Sequence, residues 1–381
     1  MPLAIAPIVS QNAEQAMLPL PTLPRRVVAR RSPEPPAAPI PTAGTHLQVL
    51  DGWRGISIVL VLIAHLIPLG RFANTSIGIV GMALFFNLSG FLITSFLLKR
   101  NATVPDFIVR RFFRVMPLAF LYMLVVFAFQ TETLRTQLEH YFFVANLPPA
   151  TIRLSTDHLW SLCVEVQFYV GVALLFWAFR QRGLLLLPVL GLAFTALRVV
   201  NGAEASSVTW FRIDEILAGC TLALLYDGAF GSIGAKLMGW LRVAPQKSLF
   251  VLLMLCSLYE VRYGGWLSYL RPYVASLLIG ATLLNPDTRL AGLLKTRFLA
   301  YMASISFAVY VLHIGLTHTW LGSGEFTAKY LKRPLLFLVL IPLAHLSTHY
   351  YEHPCIALGK RLTRRLTGSR IAPIGNTGRI A

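Results

Sequence analysis

Charge is scarce in this chain: only 13% of its 381 residues are Asp, Glu, Lys or Arg, against about 25% in ordinary water-soluble domains. Combined with 56% hydrophobic residues and a mean hydropathy of +0.64, that shortage excludes a chain that stays in water. Acidic residues are scarcer still, 16 against 34 basic ones, which leaves a formal net charge of +18. Cysteine is nearly absent. Cys163, Cys220, Cys256 and Cys355 lie far apart and form no Cys-x-x-Cys pair, so no disulfide framework or thiol metal centre is implied, and they read as small apolar residues. No internal repeat is visible. The basic excess invites a nucleic-acid reading, but the Lys and Arg residues sit in small clusters between apolar stretches instead of along one amphipathic element. Orientation by positive loops and contact with anionic lipid is the simpler account, and no nucleic-acid partner is expected.

What the chain does have is apolar length. A bilayer-crossing helix needs about 20 mostly apolar residues. Such stretches run at roughly 50–70, 77–98, 115–130, 160–179, 184–200, 213–227, 248–262, 272–285, 299–321 and 334–352, each bounded by charges, prolines or glycines. The expected fold is all-α, a polytopic transmembrane bundle of about ten helices, with several stretches short enough to be re-entrant. Residues 1–45 hold ten of the 23 prolines and the pairs Arg25-Arg26 and Arg30-Arg31, which predicts a disordered Pro/Ala-rich tail. Its basic pairs follow the first weakly apolar stretch, the reverse of a signal peptide, so the tail is expected to stay attached on the cytoplasmic side. The transmembrane domain is placed at 46–356 and a basic cytoplasmic tail at 357–381. With both termini inside, 24 Lys and Arg fall on the inner side and 10 on the outer, which favours N-in, C-in.

Ionisable residues within apolar segments are costly and face a protein interior or a wet cavity. In Leu50-Asp51-Gly52-Trp53-Arg54-Gly55 and the apolar run to His65, Arg54 and His65 are 11 residues apart, three turns plus about 20°, and so share one helix face about 16 Å apart. The expectation puts Arg54 near the inner surface and His65 deep in the membrane, where an anion bound at Arg54 could extend a flexible arm to the histidine. A snorkelling arginine and a histidine satisfied by a neighbouring helix fit the same spacing. His158, Ser161 and Glu165 share a face at offsets of three and seven. Ser161 beside His158 lacks the independent placement of a catalytic triad and reads as a hydrogen-bonding residue, whereas a buried Glu165 needs a partner or a proton. Arg111 and Arg114, one turn apart, read as a positive-inside anchor or as a bidentate clamp for phosphates.

Weaker signals complete the set. Asn87-Leu88-Ser89-Gly90 puts small and polar residues mid-span, a mark of close helix packing. Arg212 and Asp214 read as a local ion pair at the outer rim. Tyr310 and His313, one turn apart, could line one cavity. His345, His349 and Glu352 share a face at i, i+4 and i+7, but no Glu follows His345 as in the zincin motif and no metal is expected.

Taken together, the segments LDGWRGISIVLVLIAH (50–65), LFFNLSGFLIT (84–94), VRRFFRVMP (109–117), HLWSLCVEVQFY (158–169), ISFAVYVLH (305–313) and YEHP (351–354) resemble the membrane-bound acyltransferase family 3, bacterial enzymes that O-acylate surface saccharides, over residues 46 to 365. The resemblance implies a ten-span inner-membrane enzyme that moves an acyl group, acetyl first among candidates, from cytoplasmic acyl-CoA to a hydroxyl of a surface saccharide or glycolipid. It carries the arginine-to-histidine signature onto Arg54 and His65, and the Arg-x-x-Arg element onto Arg111 and Arg114. Arg54, Arg111 and Arg114 would then bind acyl-CoA, and His65, with Glu165 and His158, would serve catalysis. Asp51, Ser89, Ser161, Tyr310 and His313 would contribute on the substrate side. Val166 stands where the family often has a second glutamate, Asn87 for an apolar residue, His353 for an arginine, and Ile314-Gly315 for Trp-Pro. No further C-terminal hydrolase-like domain is expected. The alternative is a transporter or flippase with a His/Glu/Arg relay, which would move its substrate unmodified.

Overall fold

Leucine-rich runs interrupted by proline and glycine fold here into helices and nothing else among the described residues. The computed structural model describes residues 43–153, 155–258 and 265–366, with side chains from 48 to 365. The proline-rich tail therefore lies outside the described residues except at its last three positions, where helix α1 has begun, and so does the basic tail beyond 366. The described residues belong to one compact unit. In chain order the helices are α1 (Ala43–Leu66), α2 (Arg71–Leu97), α3 (Val104–Phe129), α4 (Leu134–Tyr141), α5 (Trp160–Leu184), α6 (Leu187–Val200), α7 (Asp214–Tyr226), α8 (Gly231–Val243), α9 (Gln246–Leu255), α10 (Arg271–Leu284), α11 (Arg289–Leu294), α12 (Arg297–Thr317), α13 (Phe326–Leu331), α14 (Arg333–Leu346) and α15 (His353–Leu366).

Each of the ten apolar stretches becomes helical, but only six helical segments are long and apolar enough to cross a bilayer: Gln48–Leu66, Arg71–Leu97, Val104–Phe129, Asp157–Leu184, Arg297–Thr317 and Phe326–Arg365. Helices α7 and α8, bent by 105°, would supply a seventh as a broken span. Helices α6, α9 and α10 hold 10 to 14 residues. At 1.5 Å per residue they reach about 15–21 Å, short of the ~30 Å hydrocarbon core. The expectation of about ten spans is thus met only in part, because apolar composition counts segments without measuring how far each helix runs.

Local chemistry sets the ends that matter for the site. Pro68 and Gly70, the latter at φ +91°, terminate α1 one residue beyond its last turn and start α2. Asn74 locks that corner: its amide donates to the carbonyls of Ala64 (2.8 Å) and Ile67 (2.7 Å) and its oxygen accepts from the Leu69 N–H (3.0 Å). The Thr103 hydroxyl accepts from the Asp106 N–H, with Pro105 in the first turn, to open α3.

Lipid tails are as apolar as leucine, so these helices associate through close packing instead of a hydrophobic drive. Helix α2 lies against both α1 and α7. At the α2–α7 crossing, Gly90 sits on the backbone of Ile216 and Gly219 on that of Asn87; a Cβ at either would fall 1.9 Å from a carbonyl oxygen. Gly52 and Gly55 of α1 admit the backbone of Leu294 and Leu299 in the same way. Trp53 is fully buried and its indole donates to Thr282 of α10 at 2.8 Å.

Between α3 and α5, α4 and the following loop form a ledge held by His140. Its Nδ1–H donates to the Thr136 carbonyl (2.8 Å), so Nε2 accepts from the Thr156 hydroxyl (2.8 Å) and the ring is neutral. Burial holds its pKa below the usual 6.5. Below pH 6.5 the unfolded ledge takes up a proton that the folded ledge refuses, so its stability is complete above that pH and is lost as pH falls toward the depressed folded value. Hydrogen exchange of residues 134–153, corrected for intrinsic rates, should quicken between pH 7.5 and 5 in the native chain and lose that trend in His140→Gln. A flat native profile would refute the assignment.

Candidate active site

Arg54 lies on the middle of α1 and His65 on its last turn, because α1 begins at Ala43, well before Leu50. The helical face is the expected one, but the pair is displaced along it: the arginine is central and the histidine terminal. Three cavities follow one another along this face.

The first, about 600 Å³, opens between α1, α2, α3, α7 and α15. Six cations line it, Arg54, Lys99, Arg110, Arg111, Arg114 and Lys360, and Asp227 is the one acid among its lining residues. Arg110 is paired with Asp106 one turn back. The Arg111 guanidinium lies 5.6 Å from the centre of the Tyr169 ring. The charges of Arg114, Asp51, Arg111 and Glu165 all act on Arg54. Phe91, Leu92, Phe96 and Phe107 form the apolar wall. A basic mouth with an apolar lining suits an anion carrying an organic arm.

Glu165 belongs to this end of the path. Ser89 donates to its carboxylate at 2.5 Å, and Tyr169 is its other hydrogen-bond partner. The shared face of His158, Ser161 and Glu165 therefore divides between two neighbours, with Glu165 meeting α2 and the other two meeting α12.

The second cavity is a constriction of about 20 Å³ lined by Arg54, Ser57, Ile58, Val61, Met82, Phe85, Ser306, Phe307 and Tyr310. It shares Arg54 with the first cavity and Val61, Met82 and Tyr310 with the third. The third, about 250 Å³, is lined by His65, Asn74, Thr75, His158, Trp160, Arg212 and Tyr310 among others.

Histidines organise this third cavity. The Nδ1–H of His313 donates to the Tyr310 carbonyl at 2.7 Å. A carbonyl only accepts, so the neutral His313 ring has its lone pair on Nε2, which lies 3.3 Å from Nδ1 of His65. A proton on Nδ1 of His65 matches that lone pair and leaves Nε2 as the base in a side chain that lines the cavity, and the His65 ring also donates to the Val61 carbonyl one turn back. His158 donates from Nε2 to the Val311 carbonyl at 3.0 Å, and its buried Nδ1 has no hydrogen-bond partner among the described residues. Tyr310 donates to the His158 carbonyl and accepts from Ser161 at 2.5 Å. The ring of His313 lies 5.1 Å from His65 and 5.2 Å from His158. Sequence spacing paired Tyr310 with His313; the fold adds His65, His158 and Ser161 from two other helices.

The fold separates two groups of residues that lie close together in sequence. Asp214 pairs with Arg198 at 2.5 Å, not with Arg212, which faces Glu215 at 3.4 Å. Residues two apart in a helical turn point in different directions, so an i, i+2 ion pair is not formed. His345, His349 and Glu352 do not share a face either. Residues Ser347–Glu352 form a π-helical turn, whose wider i→i+5 winding rotates less per residue than an α-helix and leaves Glu352 facing inward, where Thr348 donates to it at 3.0 Å. His349 instead stacks on His345 at 4.1 Å and meets His353 edge-on at 5.1 Å. No group of three or more His, Cys, Asp or Glu with metal-binding geometry occurs among the described residues.

Asn74, Asp157 and Arg212 are the site residues that spacing missed or misjudged. Asp157 is the carboxylate whose charge reaches His65. Its position directly before His158 was the available signal, since an acid beside a candidate base bears on its protonation.

A family model described as an acyltransferase domain matches residues 47–347. The protein YrhL of Bacillus subtilis (strain 168) is 29% identical over 369 residues, covering 84% of this chain and 57% of YrhL. The peptidoglycan O-acetyltransferase OatA of Listeria monocytogenes serovar 1/2a is 25% identical over 355 residues, 80% of this chain and 55% of the relative. The O-acetyltransferase OatA of Staphylococcus aureus (strain NCTC 8325 / PS 47) is 24% identical over 352 residues, 81% of this chain and 57% of the relative. The chain thus spans little more than half the length of these relatives. No solved structure matches it.

Proposed function

Because the chain belongs to this acyltransferase domain family, we propose that it takes an acyl group, acetyl first among candidates, from acyl-CoA in the basic cavity and delivers it to a hydroxyl of a saccharide in the histidine cavity. The observation that carries this reading is the run of three cavities along one face of α1, with four arginines at one end and the free Nε2 of His65 at the other. The saccharide acceptor draws support from the relative named for peptidoglycan. In the same reading the protein is a multi-pass protein of the bacterial cytoplasmic membrane, N-in and C-in. The short helices α6, α9 and α10 and the bent α7–α8 pair then complete a ten-segment bundle without each spanning it.

The residues at the basic end fit a polyphosphate. Arg111 and Arg114 project from one side of α3 and Arg54 from α1, and guanidinium groups hold phosphate oxygens bidentately. Glu165, bonded to Ser89 and Tyr169, acts here as a positioning residue for that cluster, and Asp51 does the same from the first turn before Arg54. The pantetheine arm follows the Arg54-to-His65 face, a distance of about 16 Å, and the constriction at Phe85 and Tyr310 must widen to pass it.

At the other end His65 Nε2 removes the proton of the acceptor hydroxyl as its oxygen attacks the thioester carbonyl. The C–O bond forms, the C–S bond breaks, and the CoA thiolate takes the proton back from the imidazolium. Asp157 favours that transient cation, and His313 fixes the tautomer from which it forms. His158 and Ser161 hold Tyr310 against the acceptor side.

Transfer by the purified chain in proteoliposomes, from labelled acyl-CoA to saccharide acceptors, tests the reading; movement of saccharide without label would replace it with transport. Arg111→Ala and Arg114→Ala should each raise KM for acyl-CoA by about tenfold, the worth of one charge-assisted contact at a partly exposed site. Both should flatten the dependence of KM on salt. Unchanged KM and salt dependence in both variants would remove the arginines from donor binding.

A further inference from the structure

Behind the histidine cavity lies an ion-pair cluster that the transfer chemistry leaves unused. Three arginines, Arg198, Arg212 and Arg271, are 0%, 2% and 1% exposed, and the two carboxylates buried with them, Asp214 and Glu215, are both at 0%. The cluster therefore holds one cation in excess. Its hydrogen bonds tell where that charge resides. Arg198 is satisfied by Asp214 at 2.5 Å and by the carbonyls of Ala203 and Glu204. Arg271 is satisfied by Glu215 at 2.8 Å and by the Glu204 carbonyl. Arg212 has only the 3.4 Å approach of its Nε to Glu215, too long and too poorly aligned for a hydrogen bond. No hydrogen bond to its guanidinium occurs among the described residues. Its charge is 5.5 Å from the centre of the Trp160 ring, and both residues line the histidine cavity.

A buried guanidinium whose one carboxylate neighbour stays beyond hydrogen-bond geometry is expensive, since a lost hydrogen bond to a charged group costs more than a neutral one. An anion in the cavity would supply what is missing, and Trp160 would give the guanidinium and a sugar ring a common apolar platform. The phosphates of an acyl donor do not meet this need, because they fit the basic cavity beyond the 20 Å³ constriction.

We infer that Arg212 is a specificity residue that binds a carboxylate or phosphate carried by the acceptor saccharide, so that this end of the protein selects acidic over neutral saccharides. The inference rests on the acyl-transfer reading for its cavity assignment, but it concerns acceptor binding, which can be measured without turnover.

The test uses the full chain in nanodiscs and three saccharide probes of equal length: one containing a hexuronic acid, its carboxyl-reduced neutral counterpart, and a phosphorylated counterpart. Wild-type protein should prefer at least one charged probe by about tenfold or more, in equilibrium binding and in kcat/KM; which one it prefers separates carboxylate from phosphate. Arg212→Gln should bring the charged-to-neutral ratio close to one, and Arg212→Lys should restore part of it. Should the Gln variant fail to fold, as a thermal melt would reveal, the wild-type and Lys ratios decide. A wild-type ratio near one, or a ratio that Arg212→Gln leaves unchanged, overturns the inference. Selective binding of a charged probe without any transfer would leave the inference standing and sink the acyltransferase reading.

Discussion

Purified protein carrying His65→Ala is expected to transfer acyl groups about 10²–10⁴-fold more slowly than wild type, the range supplied by a positioned general base. The effect should fall on kcat, because His65 lies three turns from the arginines and shares no cavity with Arg111 or Arg114. Single-turnover transfer from labelled acyl-CoA measures it directly. A wild-type rate in the variant would end the assignment. The same experiment separates two roles for the imidazole: a base leaves no label on the protein, whereas an acyl carrier leaves an acyl-imidazole that forms before product. His313→Gln should give a smaller loss with KM for acyl-CoA unchanged. It removes the His65 Nδ1 contact at 3.3 Å and leaves the Val61 carbonyl as the ring's remaining partner, so its effect passes through the tautomer balance and not through a new contact with substrate.

The second large effect is expected far from the chemistry. Gly219→Leu should abolish the folded, monodisperse protein in detergent, and Gly219→Ala should lower its melting temperature strongly, with a cost of about 3 kcal/mol or more. A Cβ at Gly219 would lie 1.9 Å from the Asn87 carbonyl oxygen and 2.8 Å from its Cα, so backbone must move, not a flexible side chain. The neighbouring contact of Gly90 with Ile216 has the same form, and both helices would part along one seam. Gly171→Ala is the matching control: it has nothing within 4 Å of its Cβ, and a helical alanine there should be neutral or slightly stabilising. Wild-type melting of Gly219→Ala would show that the helices accommodate a methyl group at this crossing.

Much of this protein was legible before any fold. Apolar runs of membrane length located the helices, and the 3.6-residue period placed Arg54 and His65 on one face, because both facts depend only on residues within a few turns of each other. The Arg111–Arg114 pair and the Tyr310–His313 pair were readable for the same reason. The span count was not legible in the same way, since composition does not fix where α6, α9 or α10 stops.

Contacts between segments were beyond that reach. His313 meets His65 across 248 positions, and Glu165 meets Ser89 across 76. Nothing in the helical period of either segment selects its partner, because partner choice depends on how whole helices cross and rotate against each other. Asp214 chose Arg198 over its near neighbour Arg212 because the turn before α7 sends the two side chains apart. The π-helical turn at Ser347–Glu352 shifted the face of the last span by a rotation that no residue type announces. The sequence by itself determined an all-helical membrane bundle and which side chains share a helix. Only the tertiary structure decided that Arg111 and Arg114 join Arg54 around one cavity and that His158 and His313 join His65 at the other end, since that is a property of packed helices and not of any one of them.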